Sequence, residues 1–382
     1  MARVLRVVLV LLAGLLGACT STQYAWQAAT GHLKVLAAAR DIEEVLQDVH
    51  TPDRLREQLI HVQAIRTFAV DQLGLPDNAS YTRYADLGRP FVVWNVVVSR
   101  PDDFALQRWC FPFTGCISYK GFYGEQDARN EALAWRARGM DVAVLGVPAY
   151  STLGFTADPV LNTFVHYPAG ELARLIFHEL AHQVVYIADD TQFNESFAST
   201  VEVLGVDAWL AQPGQEGLAD QYRMFDSRRT AFKRLLAAAR ADLAELYGQQ
   251  ESPTHRLSGK AERLAKLQQD YLALKASWGG WAGYDRFMAE DLNNAKLGVM
   301  GLYDDDVPAF KSLFWHCGSH FGDFYRAVAA LGRMAPDARR EQLSKLAGGR
   351  PFDAPALGCG AAKFKHAAPR HSASEADRLQ KP

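Results

Sequence analysis

The chain has 382 residues, of which 49% are hydrophobic and 22% charged, a composition that excludes extensive disorder and supplies a substantial core. Its 41 basic and 43 acidic residues nearly cancel, which excludes a strongly basic nucleic-acid groove and a broadly anionic partner.

Arg3 and Arg6 precede the short apolar run Val7 to Leu16, the pattern of an export signal and too short to span a bilayer. The run closes on Leu16-Gly17-Ala18-Cys19, which resembles a bacterial lipobox. Residues 1–18 are therefore expected to be a lipoprotein signal peptide and Cys19 the lipidated first residue of the mature chain. Thr20 in place of Asp resembles lipoproteins sorted to the outer membrane, so the expected location is the cell envelope, with the protein facing the periplasm. In that oxidising compartment Cys110 can pair with Cys116, and Cys317 with Cys359. No CxxC pair supports a cysteine zinc site instead.

An N-terminal helical segment is expected over 19–90, because apolar residues recur at three- and four-residue steps from Tyr24 to Phe68. Pro52 starts a new helix there, capped by Thr51. The β-branched run Phe91 to Ser99 and the stretch Asp141 to Ala149 predict strands, and Glu125 to Arg138 a helix between them. They belong to a unit at 91–212, a β element with the catalytic core, whose main helix runs from Ala169 to Ile187. A C-terminal helical lobe is expected over 213–355. Its long stretches Glu216 to Tyr247 and Leu257 to Ala276 are broken near Pro253 into a helical hairpin. The Ala-, Lys- and Ser-rich end, 356–382, is expected to be a mobile tail. The fold class is thus mainly α with a small β-sheet.

Within the 169–187 helix stands His178-Glu179-Leu180-Ala181-His182. Two histidines four apart project from one helix face and can share a Zn²⁺ ion, while Glu179 sits where a general base must be. Catalytic zinc usually keeps a third protein ligand. Asp189, Asp190 and Thr191 supply turn and cap chemistry for a second, antiparallel helix, and Glu195 lies as far beyond the Ala188-Asp189 junction as His182 lies before it. A close return therefore places its carboxylate beside the second histidine. Glu202, two turns further, is expected to support the ligands rather than bind metal. His316 and His320 repeat the four-residue spacing, but no glutamate follows His316 and Gly318 weakens a helix there.

Asn194-Glu195-Ser196-Phe197-Ala198-Ser199 resembles the third-ligand segment of the gluzincin metallopeptidases, especially the aminopeptidase-N family. Over about residues 20 to 355 the chain resembles a bacterial lipoprotein family labelled "putative aminopeptidase". That resemblance is carried by Trp109-Cys110-Phe111-Pro112, Gly115-Cys116, Tyr119-Lys120-Gly121, Ala149-Tyr150-Ser151-Thr152-Leu153-Gly154 and Asp158-Pro159-Val160-Leu161. It implies a thermolysin-like zincin core with an added helical lobe, and a zinc aminopeptidase of envelope peptides. An endopeptidase, and a non-catalytic envelope lipoprotein that binds a peptide or protein, stand as alternatives. Two departures accompany it: the loop between His182 and Glu195 is shortened, and the Gly-Ala-Met-Glu-Asn segment that reads a free amino terminus is missing. Tyr150 and Tyr303 are the candidates for stabilising the oxyanion. The partners implied are a peptide substrate and, through Cys19, a membrane; no nucleic acid is expected.

Overall fold

The computed structural model of the protein describes residues 24–111, 115–249, 252–290, 292–300, 306–350 and 357–359. The proposed signal peptide, Cys19, Tyr303 and most of the proposed tail lie outside them. Helix α1 spans 24–37. The expected helical stretch 24–68 is interrupted after it, because β1 (Ala39–Asp41) leaves to pair with β2 (Arg83–Ala85). Asp41 then caps α2 (Ile42–Gln47) by accepting from the Glu43 N–H at 2.9 Å, and Glu43 and Glu44 favour that helix's N-terminal dipole. Helix α3 (Asp53–Asp71) follows Pro52, which occupies the cap position expected for Thr51.

The strands form three small sheets, one of them built on the β-branched runs. Strand β3 (Val93–Ser99) is the middle of an antiparallel sheet in which β4 (Trp109–Phe111) and β5 (Gly115–Ile117) take no part. Its neighbours are β6 (Lys120–Phe122) and, beyond helix α4 (Glu125–Arg136), β7 (Asp141–Val147). Strands β4 and β5 form a hairpin closed by the Cys110–Cys116 disulfide. The third sheet has the order β1-β2-β8, with β8 (Val160–Leu161) parallel to β2. Strand β7 stops at Val147 rather than Ala149, since Pro148 has no N–H to continue a ladder.

Helices α5 (Ala169–Ala181) and α6 (Thr191–Leu210) pack against each other at the centre of the molecule. Helix α5 ends at Ala181, short of the expected Ile187. The chain turns early because Asn194 at the start of α6 binds both the N–H and the C=O of Ile187, at 2.8 and 2.7 Å. Asp189 adopts a left-handed φ of 68° in the same turn. Beyond lie α7 (Glu216–Gly248) and α8 (Pro253–Ser277), the expected helical hairpin. Helix α8 starts earlier than Leu257, because Ser252 caps it and proline is tolerated in a first turn. The short α9 (Asp285–Ala289) and α10 (Asn294–Met300) return to the sheet, where α10 packs on β3 and β7. Helices α11 (Val307–His316), α12 (Phe321–Gly332) and α13 (Pro336–Ala347) close the chain, with α11 against α6 and a Cys317–Cys359 disulfide behind it. The fold is mainly α with small sheets of two or three strands. No described helix is long and apolar enough to cross a membrane.

One core cluster joins α3, α5, α6 and α11–α13, with Leu59, Phe177, Phe197, Phe310 and Phe324 fully buried. Close approach here depends on Gly205: a Cβ on it would stand 2.8 Å from Leu73 and 2.9 Å from Phe177. Gly205→Val is therefore expected to destabilise the protein by about 1–3 kcal/mol through overpacking. Thermal or urea unfolding checks this, and an unchanged midpoint would show that α5 and α6 can separate freely.

Candidate metal centre and cleft

Histidines 178 and 182 lie on one face of the end of α5, His182 being its C-cap residue, and α6 carries Glu195 back alongside them. The Nε2 atoms of the two imidazoles are 3.2 Å apart. Glu195 Oε2 stands 3.4 Å from His178 Nε2 and 3.8 Å from His182 Nε2. The carboxylate is thus near both histidines and slightly nearer the first. A tetrahedral ion with donors at about 2.0–2.2 Å requires donor–donor edges of about 3.3–3.6 Å. Two imidazole nitrogens and a carboxylate oxygen at these separations fit such an ion, and among the described residues this is the one His/Cys/Asp/Glu group so arranged.

The electrostatics come from burial and crowding. Burial lowers His178, but hydrogen bonds to Glu195 and Glu202 outweigh it and raise its pKa to about 10. Burial takes His182 down to about 4, with the charge on His178 adding to the fall. Burial lifts Glu202, yet Arg174 and His178 outweigh it and hold that carboxyl at about 2. Against the upward push of burial, the two imidazoles keep Glu195 below the usual carboxylate range. Glu179 is lifted to about 7 by burial, with the His178 charge opposing and its carboxylate neighbours assisting.

Glu202 takes no place in the triad. His178 Nδ1 donates to Glu202 Oε2 at 2.9 Å, which holds the ring turned with Nε2 towards Glu195 and His182. Arg174, one turn before His178, bonds the other oxygen of Glu202. By contrast, His182 Nδ1 is buried without a hydrogen-bond partner among the described residues.

The triad opens on a cavity of about 510 Å³ whose walls include Tyr24, Phe111, Tyr123 and Tyr150. Glu179 faces the same space. The Tyr150 hydroxyl is hydrogen-bonded to His32 Nδ1 at 2.6 Å and to Tyr123, and His32 Nε2 is held in turn by Thr156 at 3.0 Å. The structure brings Tyr150 into the cavity; Tyr303 falls outside the described residues. His316 bonds the Ser312 carbonyl at 2.7 Å and His320 caps α12, so the pair does not form a second centre. Neither lines the cavity.

Sequence reasoning missed Tyr119 and Tyr186 at the site. Tyr119 lines the cavity, and its hydroxyl pKa is raised first by burial and then by the Glu195 carboxylate; Tyr186 is raised by burial and by Glu195 as well. The Tyr119-Lys120-Gly121 segment was visible in the sequence only as a family resemblance, because Tyr119 and Glu195, far apart in the chain, come to line one cavity only in the folded protein. The hairpin that precedes Tyr119 braces the turn between the ligand helices: the Cys116 N–H donates to Asp189 Oδ1 at 2.7 Å.

Two outcomes follow. Glu202→Gln is expected to weaken metal binding about 10–100-fold while leaving all three donors in place. Titration with Zn²⁺ under competition from a chelator measures this, and parental affinity would show that the Glu202 bond to His178 has no bearing on the centre. The second concerns Asp158, whose oxygens accept from the Thr152 N–H at 2.9 Å and from its hydroxyl at 2.8 Å below the Tyr150 loop. Burial raises its pKa from 3.8 to about 6, against these hydrogen bonds. The folded state holds this proton more tightly than the unfolded chain, so the contribution is present below pH 3.8 and lost as pH rises towards about 6. The loss is about 3 kcal/mol. Unfolding free energies of Asp158→Asn across that window should lack this slope, and an identical slope in both proteins would place the titration elsewhere.

A family model described as "putative aminopeptidase" matches residues 23–343. No curated protein and no solved structure matches the chain.

Proposed function

The chain belongs to the "putative aminopeptidase" family, and from that premise we propose that it is a zinc-dependent peptidase of the bacterial cell envelope, lipid-anchored through Cys19. The observation that carries the reading is the convergence of His178 Nε2, His182 Nε2 and Glu195 Oε2 beside Glu179 in one cavity. Two nitrogens and one oxygen with room for a fourth ligand match the catalytic rather than the closed structural type of zinc site. When bound, Zn²⁺ supplies a Lewis acid for the water and the scissile carbonyl.

The chain's own residues do the rest. Glu179 receives the proton of the attacking water as the water oxygen bonds to the carbonyl carbon. It then delivers that proton to the amine nitrogen as the C–N bond breaks, so one water is consumed per bond. Glu202 keeps the His178 ring turned, and Arg174 neutralises Glu202 from behind. Tyr119 and Tyr186, both on the cavity wall, face the same carboxylate region as the reacting atoms. The cavity walls exclude water from the backbone of a bound peptide. The leader ending at Cys19 supports the envelope location, and the Cys110–Cys116 and Cys317–Cys359 disulfides are compatible with an oxidising compartment.

Glu179→Gln removes the proton acceptor without touching a ligand atom. It should bind zinc like the parent and lose about 10²–10⁴-fold in peptide hydrolysis. Metal content by elemental analysis and turnover of a peptide library together decide; a zinc-loaded Gln variant with parental turnover would overturn the mechanism.

A further inference from the structure

The metal triad does not stand at the end of a pocket. On the far side of Glu179 lies a second cavity of about 550 Å³, walled by Leu175, Phe232, Phe287 and Met300. The two cavities share Asn95, Tyr119, Val147, His178 and Glu179, so the general base sits at their junction. Each alone lies within the range of about 300–1,000 Å³ typical of ligand sites. A bond held at the junction therefore has room for peptide on both sides.

Charge in the two cavities bears on which peptides fit. A protein that removes N-terminal residues must give the α-ammonium group a counter-charge, because an ion stripped of water without a partner is strongly disfavoured. In the first cavity the carboxylates are Glu179 and Glu195, the base and a ligand. The second adds Glu171 and Glu202. Glu171 is held by both oxygens on Arg229 Nη1, at 2.9 and 2.7 Å, and Glu202 is taken by Arg174 and His178. Among the described residues lining either cavity, Glu171, Glu195 and Glu202 are each held by a neighbouring side chain, and the remaining carboxylate, Glu179, stands at the reacting bond as the base. This holds whichever cavity receives the amino-terminal side of the substrate.

We infer that the site cleaves internal peptide bonds, and that its substrate is an extended peptide segment with bulky apolar residues on both sides of the cleaved bond, with no requirement for a free amino terminus. The inference rests on the peptidase reading above and narrows it from the family description towards an endopeptidase. The apolar residues of the substrate would sit against Phe111 and Tyr123 on one side and against Phe232 and Met300 on the other.

The zinc-loaded full-length protein is to be given one peptide with an aromatic- and Leu-rich centre in two forms, free and N-acetylated with an amidated end, with products read by mass spectrometry. Both forms should be cut at the same internal bond with similar kcat/KM. Stepwise release of single residues from the free form, with the blocked form intact, would overturn the inference while leaving the peptidase reading standing. Hydrolysis of neither form would overturn the peptidase reading itself. A second variant probes the first cavity. Ala28 lines it from α1, away from the ligands, and Ala28→Trp fills part of the space. It should raise KM for the blocked peptide on the order of tenfold with zinc content unchanged, the scale of one apolar contact. An unchanged KM would overturn the assignment of that cavity to substrate.

Discussion

Three carboxylates, Glu179, Glu195 and Glu202, are crowded around one histidine at the α5–α6 contact, and an interior of low dielectric does not hold such a group without positive charge. The surrounding structure can be read as the response. Arg174 is placed one turn from His178 to meet Glu202, and His178 stands between Glu202 and Glu195 with a hydrogen bond to the first and close contact with the second. Glu179 has only the His178 charge to oppose its burial, and its pKa is lifted to about 7. The outcome is an ordered series: a carboxylate held well below its usual range behind the site, a candidate ligand carboxylate within it, and one raised to about 7 where the two cavities join. That gradient is produced by neighbours alone, since all three side chains are chemically the same.

Much of this centre was legible in the sequence because its geometry is local. The four-residue spacing of His178 and His182 and the symmetric placement of Glu195 about a turn need only helix periodicity and one reversal. The same reasoning put the end of α5 at Ile187, because hydrophobic periodicity continues through Val184 and Val185. It could not register that the Asn194 side chain would cap the turn from the far side. Likewise the uniform apolar spacing of 24–68 hid the break at β1, which forms only because Arg83–Ala85 is there to pair with it.

The walls of the cleft were the least legible part. Tyr119 reaches the site through tertiary approach and Tyr186 from within the ligand hairpin itself, and aromatic residues in a chain with twenty phenylalanines and fourteen tyrosines give little sign of which ones will line a cleft. Tyr24 and Ala28 come from α1, where Gln27 ties the helix to the sheet by accepting from the Tyr123 N–H at 3.1 Å and donating to the Gly121 carbonyl at 3.3 Å. Gly31 allows the same helix to lie against the Tyr123 ring, where a Cβ would come within 2.2 Å. These contacts join segments that no periodicity connects.

The difference in range between ligands and walls also bears on how such a protein can change. The candidate metal donors are drawn from positions 178 to 195, a single helical hairpin braced from outside by β5 at Asp189. The walls of the two cavities are drawn from positions as distant as Tyr24 and Met300. Mutations, insertions or exchanges in any of those remote segments can remodel what the cleft accepts without disturbing the ligand distances. On the proposed function, selectivity in this architecture is therefore free to drift under selection while the triad geometry is kept.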